Sequence, residues 1–261
     1  LTLSRLHALL PDRAWSNKIS TSAPLRSCFQ WMYHPECDVL NFPPVEDGVE
    51  IETGQDGNPA IAPDFRRMWV AGSMHFQSPF FPEDTASKET VVVDVSSRQT
   101  KSQGPVMFVS RESTLSAAGS AGSGSGKDDR GRGGGKMTET TTHAFLQSTR
   151  HVPPRPLGAT VTPASSAPKR SLLLEETVED IDAVLLFKYS ALTYNSHRIH
   201  YDSEHATQVE GYPGLVVHGP WISSLLLDSY QNLCVETDSK SMDPFSGYEF
   251  SYRGKAPMFL G

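Results

Sequence analysis

The stretch GLVVHGPWISSLLLDSYQNLC, residues 214–234, predicts the principal helix of the chain. Gly219 opens the predicted helix, and Pro220 falls in its first turn, where a missing backbone N–H costs little. We therefore expect a helix of about four turns packed on a sheet. Its packed face is predicted from four apolar residues at helical spacing: Leu215, Ile222, Leu226 and Tyr230.

Segments on both sides of this helix predict strands. They combine β-branched and aromatic residues with Pro, Asp and Gly at their borders. A second helix is predicted within EDIDAVLLFKYSALTYN, 179–195. The predicted strands lie in MWVAGSMHFQSPF (68–80), ETVVVDVSS (89–97), GPVMFVSRES (104–113), TETTTHAFLQS (138–148), RSLLLEETV (170–178) and YEFSYRGKAPMF (248–259).

Two breaks divide the sequence. Residues 116–136 are rich in Gly and Ser and hold no apolar side chain larger than alanine, so we expect an insertion at 114–136 to be disordered, as a long hairpin loop inside a sheet. Residues 152–170 carry five prolines and predict an extended linker. This leaves a first domain at 28–151 and a second at 171–261, preceded by residues 1–27, which form either an amphipathic helix or a transit-peptide remnant.

Composition narrows the function classes. The 261 residues carry a net charge of -7, which argues against a surface for nucleic acid or anionic membranes and favours a small-molecule partner. No apolar run approaches the roughly 18 residues that cross a bilayer. Three cysteines without CxxC spacing fit reduced thiols better than a disulfide framework.

The stretch YNSHRIHYD, residues 194–202, concentrates polar and aromatic groups that could serve chemistry. A zinc site is one interpretation, although the spacing matches no HExxH or Cys/His pattern. Solvated loop histidines and packed, hydrogen-bonded histidines are another. The histidines concerned are His197, His200, His205 and His218.

Acid–base chemistry is the third interpretation. The N–H of Gly219 would be a free donor at the positive end of a helix, with no side chain to block a ligand, as in an oxyanion hole. His200 lies 19 residues upstream on a loop able to fold back over that helix start. Its ordinary pKa near working pH makes it the candidate general base.

The stretch LFKYSALTYNSHRIHYDSEHATQVEGYPGLVVHGPW, 186–221, resembles the active-site segment of hotdog-fold (R)-specific hydratases and dehydratases of acyl thioesters. Within them it is most similar to the two-hotdog branch of MaoC-like proteins with type 2 hydroxyacyl-thioester dehydratases and mesaconyl-C4-CoA hydratases. Weaker similarity extends to RRMWVAGSMHFQSPFFPED (66–84) and to SYRGKAPMF near the end. The resemblance as a whole spans about two thirds of the chain.

The resemblance assigns roles to individual residues. His200 matches the catalytic histidine, Asp202 a later aspartate of the motif, and Gly219 the glycine whose N–H holds the thioester oxygen. Asn195 stands where the wider family has its catalytic aspartate, and an amide can hold a water without shuttling its proton. We expect four further residues to contribute to substrate binding: Gly214, His218, Tyr212 and Trp221.

The resemblance implies an α+β double hotdog: two antiparallel sheets, with the long helix in the second half. Only three residues follow Met258, so the second hotdog is expected to be truncated, completed by another subunit or covered by the first half. The implied activity is reversible hydration of 2-enoyl thioesters of CoA or acyl carrier protein to (R)-3-hydroxyacyl thioesters. A catalytically inactive acyl-thioester-binding protein and a thioesterase are the alternatives. No metal or cofactor is implied, and a homodimer and a mitochondrial location are expected.

Overall fold

In a computed structural model of the chain, the described residues form one five-stranded antiparallel sheet, three α-helices and two shorter helical turns. The structure describes residues 24–25, 28–33, 65–82, 84–100, 104–117, 134–147, 181–195, 197–236 and 245–260. The strands are β1 Phe65–Ser78, β2 Ala86–Thr100, β3 Gly104–Ala117, β4 Lys136–Gln147 and β5 Tyr248–Arg253. The helices are α1 Gln30–Tyr33, α2 Ala183–Thr193 and α3 Gly219–Glu236, with a 3₁₀ turn at Arg198–His200 and a π-helical turn at His205–Val209.

The strand order is β2-β3-β4-β1-β5, which confirms the α+β class and five of the predicted strands. The Gly/Ser-rich insertion joins the adjacent strands β3 and β4, whose register pairs Ser116 with Lys136. Its predicted borders at 114–136 were too wide, since Thr114–Ala117 continue β3 and Lys136 begins β4. Residues 118–133, with their predicted disorder, lie outside the described residues.

The second half contributes β5 to the sheet of the first half. β5 pairs with β1 from Ala71↔Arg253 to Phe76↔Tyr248, so one edge of this late strand is covered by the first half. This is one of the three arrangements that the short sequence after Met258 allowed. The predicted linker 152–170 and strand 170–178 lie outside the described residues, so the domain borders stay predictions.

Helix α3 packs on the sheet, but by a different face from the predicted one. Leu226 is 54% exposed, and Leu215 precedes the helix. Leu227 joins the core of β1, β3 and β4. The buried face is partly polar: Ser224 lies against the buried side chains of Cys28 and Tyr189, and Gln231 donates to the hydroxyl of Tyr248. Its members are Trp221, Ser223, Ser224, Leu227, Asp228, Gln231 and Cys234.

Two further predictions concern the N-terminal residues and membrane-spanning segments. The leader or helix predicted in residues 1–27 falls largely outside the described residues. Among the helices that the structure does describe, none has the length and apolar character to cross a membrane.

Candidate active site

The end of α2 fixes the start of the histidine loop. Asp182 caps the helix by accepting the N–H of Leu185 at 2.7 Å, and Tyr194 ends it in the left-handed region at φ 53°. The next residue, Asn195, donates its backbone N–H to the carbonyl of Ser190 at 2.9 Å. Asn195 is therefore held against the last turn of α2.

The 3₁₀ turn places His200 in the interior, where the residue is 7% exposed. Its Nδ1 lies 2.7 Å from the carbonyl oxygen of Val216. A carbonyl oxygen only accepts, so Nδ1 carries the proton. In the neutral ring the lone pair is then on Nε2, which makes Nε2 the basic atom of His200.

His200 stacks on a second buried imidazole. The His200 and His218 ring centroids are 3.7 Å apart with an interplanar angle of 19°. His218 is fully buried, and its Nε2 forms a hydrogen bond of 2.8 Å with the hydroxyl of Ser190. His197 meets His200 edge-on, with centroids 5.6 Å apart. Three imidazoles thus lie together, anchored to α2 through Ser190.

Burial keeps these imidazoles neutral. Desolvation lowers the pKa of His200 to about 4; the hydrogen bond to the Val216 carbonyl opposes this shift and Arg67 adds to it. Desolvation, followed by repulsion from His200, lowers the pKa of His197 to about 3 and that of His218 well below its usual value. His200 is therefore in its base form at neutral pH.

The side-chain amide of Asn195 has a defined orientation. Its Oδ1 accepts the backbone N–H of His197 at 3.1 Å, and a backbone N–H requires an acceptor. The NH₂ group is left as the donor for a ligand, and Asn195 lines the same cavity as His200. It can hold a water oxygen but cannot remove its proton.

Asp202 organises the loop from outside that cavity. Its Oδ1 accepts the N–H of His205 at 2.9 Å, and its Oδ2 accepts both Nε and an Nη of Arg198 at 3.1 and 2.8 Å. These contacts, with the His205 N–H first and Arg198 next, lower the pKa of Asp202. Asp202 is not one of the residues that line the cavity.

The cavity has a volume of about 430 Å³ and lies between the histidine loop, the start of α3 and the sheet. Gly219 and Tyr212 line it. A Cβ on Gly219 would lie 3.6 Å from Trp69, so the helix start faces this indole. The N–H of Gly219 is in the first turn, where a helix offers no internal acceptor.

The first half supplies one wall of the cavity, although its sequence showed no cluster comparable with the histidines. The signal for part of this wall was alternation in β4, where every second residue from Glu139 to His143 lines the cavity. The other residues of this wall are brought together by pairing between strands that lie far apart in the sequence. The first half contributes Arg67, Trp69, Glu139, Thr141 and His143 to this wall, and β5 of the second half adds Tyr252.

Three predicted substrate-binding residues lie outside the cavity lining. Gly214 faces the backbone carbonyl of Leu260, where a Cβ would overlap it. Trp221 is 1% exposed and packs in the cluster of Leu186 and Tyr189. His218 lies behind His200. Of the predicted set, the cavity brings together His200, Asn195, Gly219 and Tyr212.

The zinc interpretation requires a cluster of metal ligands, and the part of the chain that the structure describes contains none. There, no three His, Cys, Asp or Glu side chains converge so that they could share a metal ion. His200 Nδ1 is engaged by Val216, and His205 lies 3.8 Å from the Glu210 carboxylate.

A neutral, buried imidazole and a helix N-terminus share one cavity, an arrangement suited to proton transfer beside a carbonyl group. The model of the family described as hydroxyacyl-thioester dehydratase type 2 matches residues 38–260. The chain belongs to this family, whose enzymes are named for the removal of water from hydroxyacyl thioesters. The predicted resemblance is confirmed.

The chain is also similar to individual proteins. The mesaconyl-C(4)-CoA hydratase of Chloroflexus aurantiacus is 28% identical over 92% of this chain and 73% of its own length. The mitochondrial hydroxyacyl-thioester dehydratase type 2 of Schizosaccharomyces pombe is 30% identical over 48% of this chain and 36% of its own. A solved MaoC-like dehydratase aligns with a TM-score of 0.46 and 14% identity, over 75% of this chain and 62% of that one.

Proposed function

We propose that this chain reversibly adds water to 2-enoyl thioesters, giving 3-hydroxyacyl thioesters, with His200 as the acid–base residue. The supporting observation is that His200, neutral with its lone pair on Nε2, lines the same cavity as the Gly219 helix start. Asn195 adds a side-chain donor to the same space.

In the hydration direction, Nε2 of His200 takes a proton from a water molecule held by the Asn195 NH₂ group. The water oxygen bonds to the β carbon, and the electron pair of the double bond moves towards the thioester oxygen. The Gly219 N–H stabilises this oxygen, an effect on the order of 3 kcal/mol in comparable sites. The imidazolium then returns the proton to the α carbon, so the net change is the addition of one water.

Basic side chains at the cavity suit a phosphate-bearing carrier. Arg253 and Lys255 are exposed residues that also line the cavity, as do Arg67 and Lys88. Coenzyme A and the prosthetic arm of acyl carrier protein both present phosphate to such a surface. Either carrier thus fits the proposal, and parallel assays with the two thioesters distinguish them.

The decisive experiment follows the loss of 2-enoyl absorbance with crotonyl-CoA and longer enoyl-CoAs. We expect hydration by the wild type and a loss of about 10²- to 10⁴-fold in kcat for His200→Gln. His75→Gln serves as the matched control, because His75 is exposed on β1. Full activity in folded His200→Gln would refute the assignment of the base.

Two further measurements separate the alternatives. Thermal stabilisation by acyl-CoA without turnover would identify an inactive binding protein. Release of free CoA thiol would identify a thioesterase, which would need an acid near the start of α3. Asp228, the acid considered for that role, is buried on α3 but does not line the cavity. The geometry therefore favours hydration.

We also propose that the protein is a homodimer that acts in mitochondria. Strand β2 is an edge strand of 15 residues, and its Val91, Val93 and Val95 are about half exposed. Such an edge favours pairing with another chain. Light scattering on wild type and Val93→Lys tests the dimer. Relatives named as mitochondrial support the location, which fractionation of cells expressing the tagged protein tests.

A further inference from the structure

The wall of the cavity formed by β4 is polar. Glu139, Thr141 and His143 line the cavity and are 3%, 8% and 7% exposed. Alternate residues of a strand point to the same side, so these three form one row, about 13 Å long at the usual rise of a strand. A cavity that binds only a plain alkyl chain does not require a row of polar side chains along its wall.

The row runs away from the reacting centre. The His143 ring lies 5.3 Å from the Trp69 ring, and Trp69 faces Gly219, the proposed donor to the thioester oxygen. Glu139 is four residues further along β4. There its carboxylate accepts the indole N–H of Trp31 at 2.8 Å. Glu139 is thus at the end where the distal part of an acyl chain would lie.

Tyr252 adds a donor to the same wall. Its ring stacks on Trp69 with centroids 6.1 Å apart, and its hydroxyl lies over Gly72, where a Cβ would overlap it. This hydroxyl interacts with the side chain of Trp69, whose indole N–H is buried like the hydroxyl itself. Burial raises the pKa of Tyr252 far above its usual range, and the negative charge of Glu139 adds to this rise. The hydroxyl therefore keeps its proton.

An alkyl chain in this space would offer none of these groups a hydrogen-bond partner. A hydroxyl in the chain would donate to the Glu139 carboxylate and accept from Tyr252. A carboxylate in the chain would meet the like charge of Glu139.

We infer that the preferred substrate has a hydroxyl-bearing acyl chain, with the hydroxyl in the distal part of the chain. This inference rests on the proposed hydration activity at the same site. It assigns Glu139 and Tyr252 as the residues that select the acyl group. It also predicts a lower kcat/KM for plain alkyl and carboxylate-ended chains than for the hydroxylated chain.

The test compares three 2-enoyl-CoAs of equal chain length that end in a methyl, a hydroxyl or a carboxylate group. We expect kcat/KM of the wild type to be at least tenfold higher for the hydroxylated chain than for the other two. Glu139→Leu should reverse the preference in favour of the methyl-ended chain. Glu139→Gln, which keeps an acceptor for Trp31, should raise kcat/KM for the carboxylate-ended chain. Glu89→Leu, an exposed change on β2, should leave all three values unaltered.

Equal kcat/KM for the methyl-ended and hydroxyl-ended chains in the wild type would overturn the inference while leaving the hydration activity established. If no enoyl-CoA were hydrated, the proposed function would fail instead. Thermal shifts with the three saturated acyl-CoAs would then test the pocket by itself. A larger shift with the hydroxylated ligand, lost in Glu139→Leu, would support it, and equal shifts would refute it.

Discussion

Acidification from pH 7 to pH 5 should destabilise this protein through its buried imidazoles. The folded pKa of His200 is about 4, against 6.5 for the free side chain, so the unfolded chain binds the proton first as the pH falls. The stability contributed by a neutral His200 is therefore complete above pH 6.5 and is lost as the pH drops towards 4. At pH 5 the loss from His200 alone is about 2 kcal/mol. His197 and His218 act in the same direction.

Urea unfolding followed by tryptophan fluorescence at pH 7 and pH 5 measures this loss. His200→Gln removes the titrating group, so its free energy of unfolding should change between the two pH values by about 2 kcal/mol less than that of the wild type. Exposed His75→Gln should behave like the wild type. The same pH dependence in the wild type and in His200→Gln would refute the claim that His200 is held neutral by burial.

Three further substitutions test the surroundings of the site. Gly72→Ala places a Cβ on the Tyr252 hydroxyl and should lower the free energy of unfolding by about 1 to 3 kcal/mol in urea titrations; unchanged stability would contradict this packing. Gly214→Ala meets the Leu260 carbonyl and should lower the melting temperature in calorimetry; an unchanged melting temperature would contradict this close approach. Asp202→Ala loosens the loop, so kcat should fall about tenfold with little change in KM; a changed KM alone would point to a binding role.

Local patterns predicted most of the elements. β-branched alternation between turn residues located β1 to β5, and the Gly219–Pro220 pair located the start of α3. His200 and Gly219 were predicted as site residues from a motif that is continuous in sequence. They line one cavity because the backbone of Val216, just before α3, binds both Ile199 and the His200 ring.

The buried face of α3 could not be predicted from its sequence. Apolar periodicity favoured Ile222 and Leu226, whereas the structure buries Ser224 and Asp228. The partners of Ser224, Cys28 and Tyr189, come from segments that are distant in sequence. The burial of Glu139 was equally hidden, since one carboxylate in a Thr-rich strand is typical of a solvated face.

The pairing of β1 with β5 has a consequence for synthesis. Ala71 and Arg253 are neighbours in the sheet although roughly 180 residues separate them, and such non-local contacts form slowly. A ribosome adding about 5 to 20 residues per second needs on the order of ten to thirty seconds to make the intervening chain. During that interval the β5 side of β1 is an open edge, and the wall completed by Tyr252 does not exist. We therefore expect this edge of β1 to be prone to pairing with other chains until its partner strand emerges.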